Sequence, residues 1–424
     1  MNPGAQTKSA TGSLPSLVIA LCVTCIFQLP GQARAQMNLS FSDAIARALR
    51  ANPLIAAAAS RVEAAQGIQE QVGLLPNPRF IYQSENTRIG WGGQPFNYWN
   101  DTDDYFYVEQ PIEIAGKRRK RIAYGAAGVE VSRMALALLR RHIAARASLA
   151  YWNALVTARI RDLLQEDEGT FQKIVQYHRD RVREGAMAEA DLIRVEVARD
   201  RLEVQVQNAR IEADRARVAL LRELAMDPRT DIALTEPLDR IVEVTPIDPE
   251  AALERRPEVM LAERSVAQAR ANLTLQQANA FPDPSLVLGY KRWSGFDTML
   301  FGLQVDLPVF NRNQGRAMAA SADLNAAKSN LAAVRLQVRA EIESAIEDYE
   351  TRRRLVMEVP HEMLKRALET SRIARGAYVE GGADLLRLLD GERTRIDTEV
   401  LYNRTLGQYR ESVSALRLAL GMMP

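Results

Sequence analysis

The stretch Val305-Asp306-Leu307-Pro308-Val309-Phe310-Asn311-Arg312-Asn313-Gln314-Gly315-Arg316 is where the chain changes period. Upstream of it, Phe301, Leu303, Val305 and Leu307 alternate with Gly302, Gln304 and Asp306, the spacing of a strand with one apolar face. Pro308 has no N–H to give a ladder and is expected to end that strand. Downstream, Leu324, Ala327, Leu331, Val334, Val338, Ile342, Ala345 and Tyr349 recur at helical spacing. About two hundred residues earlier the same change occurs. There, Val108-Glu109-Gln110-Pro111-Ile112-Glu113 runs through Gly116-Lys117-Arg118 into another long helical stretch. A strand that passes into a very long helix, made twice, predicts a duplicated and elongated molecule.

The first residues read as a cleaved export signal over 1–35: Leu14 to Leu29 is apolar, and Ala33-Arg34-Ala35 precedes a cut at Gln36. Cys22 and Cys25 both lie inside it, with Leu21 and Thr24 bulky where a lipid-attachment box wants a small residue. The mature chain therefore has no disulfide and no thiol metal site. Roughly 390 residues remain, enough for two or three ordinary domains. A formal net charge of +2 argues against a nucleic-acid partner. No later segment approaches the ~18–20 apolar residues of a membrane helix. Entry into a membrane would have to be by strands, which points to an outer membrane.

The first repeat covers 36–227. Ser40 reads as the N-cap of a helix continuing to Leu75, stopped by Pro76-Asn77-Pro78. A strand hairpin over 79–112 encloses a loop rich in Gly, Asn and Asp that carries Trp91 and Trp99. A proline-free helix over 117–182 would be ~100 Å long. Glu184-Gly185-Ala186-Met187 interrupts it, and a return helix spans 189–225. Pro228, Pro237, Pro246 and Pro249 mark a connector over 228–248. The second repeat, 249–424, opens with Asp248 as cap and Pro249 at the first helical position. Its helix runs to Phe281, and Pro282-Asp283-Pro284 repeats the earlier entry to the strands. A hairpin over 285–308, a helix over 313–379 kinked at Pro360, the turn Glu380-Gly381-Gly382 and a last helix over 384–421 complete it. Each return helix is about half the length of a down-going one, so two should stack end to end. The expected stacks are 189–225 with 249–281, and the last helix with 40–75.

The fold class is mainly α with a small β part: a long antiparallel helical coiled-coil barrel plus four membrane strands per chain. Four strands cannot close a membrane barrel, which needs at least eight. An open edge in lipid would leave backbone groups unsatisfied at several kcal/mol each. Several chains must share one barrel, and three copies would give a twelve-strand barrel.

Four features resemble the TolC superfamily of outer-membrane efflux proteins over essentially the whole mature chain. They are the two Pro-Asn/Asp-Pro entries, the run Glu109-Gln110-Pro111-Ile112-Glu113-Ile114-Ala115-Gly116-Lys117-Arg118, the run Leu307 to Gly315, and the internal repeat. The closer resemblance is to the CzcC-like branch that serves heavy-metal pumps of the resistance-nodulation-division type. It implies a homotrimer with a barrel in outer-membrane lipid and a periplasmic tunnel. It also implies a periplasmic adaptor, an inner-membrane pump and heavy-metal cations (Co/Zn/Cd or Cu/Ag) as cargo. It implies no enzyme activity, no cofactor and no resident metal. A drug- or protein-exporting duct of the same fold is the alternative within transport. A periplasmic coiled-coil adaptor is the alternative outside it, disfavoured by the paired hairpins.

The resemblance also assigns residues. Matching from Gly381 puts Asp390 on one of two acidic rings that narrow the tunnel and Arg387 at the other, a departure from the double ring. Three copies of Asp390 near the axis would attract cations; the plain alternative is an i, i+3 pair of Arg387 and Asp390 on a charged helix. A tip latch falls on Asp191 and Tyr378, while the basic tip partner is replaced by Ala383. Asp191 otherwise complements the dipole of its own helix. Gly185, Ala186, Met187, Gly381, Gly382 and Ala383 form the tip turns and the adaptor-docking region, the glycines serving positive φ. Pro111, Gly116, Pro308 and Gly315 mark the strand-to-helix junctions. The basic run Lys117 to Arg121 reads as a helix start facing lipid headgroups. His142, His178 and His361 are scattered, each read as solvated or packed, and no catalytic set appears. Met422-Met423 is too little for a soft-metal site.

Overall fold

Ser40 starts the first helix by accepting the Asp43 N–H on its side chain, and α1 (Phe41–Ala51) ends at Asn52. The computed structural model describes residues 37–88, 95–245, 248–293 and 295–424; the export signal, Trp91 and Pro246 lie outside them. The single helix expected from Ser40 to Leu75 is two helices, because Pro53 starts α2 (Pro53–Gly73) with Asn52 as its cap. A residue before proline is driven out of the helical region, and Asn52 has φ −71° and ψ 120°. The second half breaks in the same way. Asp248 caps α6 (Pro249–Glu254), and Arg256 is extended before Pro257, the first residue of α7 (Pro257–Ala278).

The four principal strands are β2 (Arg79–Glu85), β3 (Asp103–Pro111), β5 (Ser285–Trp293) and β6 (Phe296–Gln304). They form one antiparallel sheet in the order β2-β3-β5-β6, with the short helix α3 (Tyr98–Asp101) in the first hairpin loop. The two hairpins join where β3 pairs β5, from Asp104 opposite Arg292 to Pro111 opposite Ser285. Gly289 faces Tyr107 across that seam, and a Cβ there would collide with the Phe106 carbonyl and the Tyr107 side chain. Strand β6 stops at Gln304, not at Leu307 as the alternation suggested. Its partner begins at Ser285, directly opposite Gln304, so the ladder ends for want of a partner before Pro308 is reached.

The first long helix, α4, runs Lys117–Arg183, and α5 (Glu189–Glu223) returns along it. The second down-going helix is α8 (Gln314–Glu358) and α9 (Pro360–Val379), broken at Val359 ahead of Pro360; α10 (Leu385–Ala419) returns from the far turn. By length and composition α4 passes the test for a membrane helix, contrary to the expectation that no segment approached it. Helices α2, α7, α5 and α10 pack along α4, yet only 6% of its membrane-like window is buried inside the chain.

The end-to-end stacking differs from the expected one. The end of α10 reaches the α6–α7 break, where Arg256 donates to the Ala419 carbonyl at 3.2 Å and Arg141 to that of Leu418 at 3.0 Å. On the other side, β1 (Met37–Leu39) pairs in parallel with β4 (Ile232–Leu234), bringing the start of α1 to the end of α5. Each return helix therefore stacks on the entry helix of its own half. The connector is the cause: held by β1, it then crosses α10 and α8 instead of running straight on. Tyr409 and Tyr349 hydroxyls donate to the Val242 carbonyl, and Arg410 donates to that of Arg240.

The main core sits at this level. Tyr151, Trp152, Leu220, Leu221 and Leu224 are fully buried, and Phe41 stacks on Trp152 at 4.9 Å. Gly407 lets α10 approach α4, because a Cβ there would strike Val156. A second, smaller core of Val175, Val195, Leu385 and Leu388 lies near the far turns.

Candidate functional site

One face of the sheet is apolar and open. Phe80 pairs with Val108, Tyr82 with Phe106, and these continue across the seam to Leu288 and Tyr290, then to Phe301 and Met299. All eight side chains are exposed, Phe301 by 74%. A contiguous apolar face of this kind is not left to water. Strands β2 and β6 each have one partner, so both edges of the sheet are unpaired among the described residues. An apolar face with two free edges can enter lipid only as part of a larger, closed sheet.

The sheet is fastened to the helices by the basic run. Lys117 is buried; its ammonium donates to the Phe281 carbonyl at 2.6 Å and pairs with Asp283 at 2.7 Å. Arg118 donates to the Gly73 carbonyl, and Arg121 to those of Val72 and Leu74 while also pairing with Glu113. Arg118 and Arg121 thus satisfy the last carbonyls of α2, the negative end of that helix, while Lys117 ties down the chain just beyond α7. This corrects the reading of the run as simply facing headgroups. At the junctions, Gly116 holds φ 69° before α4 and Pro111 closes the ladder opposite Ser285. In the second half Asn313, with φ 57°, takes the left-handed position, and Gly315 lies inside α8 with an ordinary backbone. Pro308 follows the ladder without terminating it.

At the far end, the tip turns place Gly185 (φ 70°) and Gly381 (φ 77°) in the left-handed region, with Ala186 exposed beside the first and Met187 half-buried. Gly382 does not have positive φ; its N–H and that of Ala383 both reach the Ala377 carbonyl, which closes the second turn. Tyr378 donates its hydroxyl to His178 Nε2 at 2.7 Å, and the two rings stack with centroids 5.7 Å apart. His178 Nδ1 lies 2.8 Å from the Ile174 carbonyl, so Nδ1 carries the proton and Nε2 accepts. Burial first, then Tyr177 and Asp191, push the Tyr378 hydroxyl above its usual range. The Asp191 carboxylate, expected as the latch partner of Tyr378, lies instead 3.3 Å from Arg194. His178 is completely buried, and the sequence had offered a sign of it: Phe171, Val175 and His178 share one stripe of α4.

Asp390 is exposed and lines a cavity of about 740 Å³ between α5 and α10, with Arg194, Arg201, Arg393 and Asp397 around it. Arg387 stands outside that cavity and gives its backbone N–H to Asp384, the cap of α10. No ion pair joins Arg387 to Asp390 among the described residues. Nor, among those residues, could any group of three or more His, Cys, Asp or Glu side chains hold a metal ion.

Residues 249–422 match the family model described as outer membrane efflux protein. The chain is 22% identical to the cobalt-zinc-cadmium resistance protein CzcC of Cupriavidus metallidurans over 96% of both chains. It is 26% identical to the nickel-cobalt-cadmium resistance protein NccC of Alcaligenes xylosoxydans xylosoxydans, over 80% of this chain and 76% of that one. Its fold superposes on the outer-membrane channel OprN with a TM-score of 0.76 at 22% identity, covering 90% of this chain and 89% of that one.

Proposed function

From the match of residues 249–422 to the outer membrane efflux protein model and the likeness to CzcC along the chain, we propose that the protein is an outer-membrane efflux duct, the exit of a tripartite export system for heavy-metal cations. The observation that carries the duct is the four-stranded sheet with an apolar face and two free edges, mounted on α4, whose 67 residues reach ~100 Å from the membrane. Three chains close a twelve-strand barrel in the outer membrane, and their helices enclose a periplasmic tunnel. An N-terminal signal over 1–35 exports the chain. The tip turns around Gly185-Ala186-Met187 and Gly381-Gly382-Ala383 receive a periplasmic adaptor, which brings the duct to an inner-membrane resistance-nodulation-division pump.

The cargo class rests on the likeness to CzcC and NccC along most of the chain. The duct itself does no chemistry. Asp390, repeated around the axis, favours cations over anions in the narrow part of the tunnel, while Arg387 moderates that field. Tyr378 serves as the tip latch with His178, and the Asp191 charge beside them is a second acceptor to which the hydroxyl can turn when the helices shift.

Growth of a deletion strain on Co, Zn, Cd, Ni, Cu and Ag salts, beside a panel of organic antibiotics, tests the cargo. Sensitivity to one or more metals alone, restored by the intact gene, is the expected result. Sensitivity only to drugs or detergents would remove the metal assignment and favour the drug-exporting duct.

A further inference from the structure

The apolar face of the sheet continues past the end of the ladder. On β3, Phe106 and Val108 are followed at two-residue steps by Ile112 and Ile114. On β6, Phe301 and Leu303 are followed in the same way by Val305, Leu307 and Val309. These five residues and the neighbouring Phe310 are all exposed, Phe310 by 92%. Beyond Gln304 no strand remains for this part of the chain to pair with. The alternation that predicted a longer β6 therefore serves something other than the ladder.

The segment between β6 and α8 is tied to itself as a hook. The Val309 N–H donates to the Leu307 carbonyl at 2.8 Å, and Arg312 Nε to that of Pro308 at 3.2 Å. The Gln314 side chain donates to the Phe310 carbonyl at 3.1 Å and accepts the Arg312 N–H at 2.8 Å. Asn313 fastens the hook to α7 through the Gln276 carbonyl at 2.7 Å. These bonds occupy backbone groups of the hook, while Leu307, Val309 and Phe310 stay exposed. Behind it the charge is one-sided. Strands β3 and β6 run in the same direction, and α4 and α8 both pack on α7, so their first turns stand at one level. Lys117 and Arg121 are paired with Asp283 and Glu113. Arg119, Lys120, Arg312 and Arg316 have no ion pair among the described residues, and Asp306 is the one carboxylate within 305–316.

We propose that this level of the molecule is a collar that selects anionic phospholipid in the leaflet facing the periplasm. Leu307 and Phe310 enter the acyl boundary, and Arg119, Lys120, Arg312 and Arg316 meet the phosphates. The proposal rests on the duct reading and adds a lipid partner to it. Apolar side chains backed by cations are the chemistry of an anionic membrane surface, where the one group inserts and the other meets headgroups. A second copy of the chain fits the hook less well, because at this level it brings the same excess of cations. The collar also fixes depth: the hook stops at the interface, and α4 and α8 hang below it.

The test counts the lipids held by the purified oligomer in native mass spectra, with phosphatidylglycerol and phosphatidylethanolamine supplied in equal amounts. The unmodified protein should retain the anionic lipid over the zwitterionic one by about tenfold or more at low salt, since each cation near an anionic surface is worth about fivefold. That preference should vanish at about 1 M salt, where the screening length is ~3 Å. Arg119→Gln, Lys120→Gln, Arg312→Gln and Arg316→Gln together should remove it and leave the oligomer intact. Leu307→Ser with Phe310→Ser should lower retention of both lipids several-fold and keep the preference. Equal retention by the unmodified protein, a preference untouched by salt, or a charge variant that keeps it overturns the collar. If the charge variant fails to assemble, the salt dependence of the unmodified protein decides. A hook variant that sheds subunits yet holds lipid as before also overturns the collar, because the hook then packs on a second copy. An unmodified protein that is no membrane oligomer overturns the duct reading first, and the collar with it.

Discussion

Tyr378→Phe isolates the tip clasp. The substitution keeps the ring that stacks on His178 and removes only the hydroxyl that His178 Nε2 accepts from at 2.7 Å. His178 is completely buried and its other nitrogen is committed to the Ile174 carbonyl. Nε2 is then left without a donor in a closed site, at a cost of about 1–3 kcal/mol. If the clasp breaks when the tip opens, that cost falls on the closed form alone. Opening then becomes favoured by roughly 5- to 150-fold. Amide hydrogen exchange over the ends of α4 and α9 reads this directly, because local opening sets exchange there. Faster exchange confined to the ends of α4 and α9 around His178 and Tyr378 is the expected outcome. Exchange unchanged within about twofold, or raised equally at the equatorial core, would refute the assignment of Tyr378 and His178 as a local clasp.

Other substitutions probe other levels of the molecule. Gly289→Val forces a side chain into the Phe106 carbonyl across the β3–β5 seam, and should abolish the membrane-extracted trimer that the duct reading predicts. Arg256, 1% exposed, ties the α6–α7 break to Glu258, Glu341 and the end of α10; because Glu258 keeps Arg141 and Glu341 faces water, Arg256→Met should cost about 1–3 kcal/mol, read as a lowered thermal midpoint. Burial raises the carboxyl of Asp167 above its ordinary range, against the lowering effect of Arg395 and with Glu392 and Glu166 adding to it; Glu399 is raised in the same way. A carboxyl raised on folding contributes stability that is complete below its unfolded pKa of ~4 and is lost as pH rises through the folded value. Thermal midpoints of the unmodified protein and Asp167→Asn, compared from acid to neutral pH, should therefore move in favour of the variant as pH rises. A difference independent of pH would show that Asp167 ionises in the folded chain as easily as in the unfolded one.

The strands and long helices were legible because each carries a long, unbroken signal. Two-residue alternation marks Phe301 to Leu307, and α4 has no proline from end to end. What escaped had short signals or depended on distant residues. Pro53 and Pro257 start helices as plainly as Pro249 does, yet they sit inside alanine- and leucine-rich runs that read as continuous. Strands β1 and β4 have three residues each, too few to establish a period, and they decide which return helix stacks on which entry helix. The end of β6 is set by where β5 begins, a fact about Ser285 rather than about Pro308. His178 and Tyr378 are two hundred residues apart, and Asp167 lies still farther from Arg395. On helices dense in Arg and Glu, a buried charge has the same local sequence as a solvated one.

The mass of the intact assembly extracted from outer membranes tests the central claim most directly. A detergent-solubilised particle of three chains, absent from the soluble fraction, is the predicted result, because only a shared barrel can close the edges of β2 and β6. A soluble monomer with both edges exposed to water would contradict the account at its root.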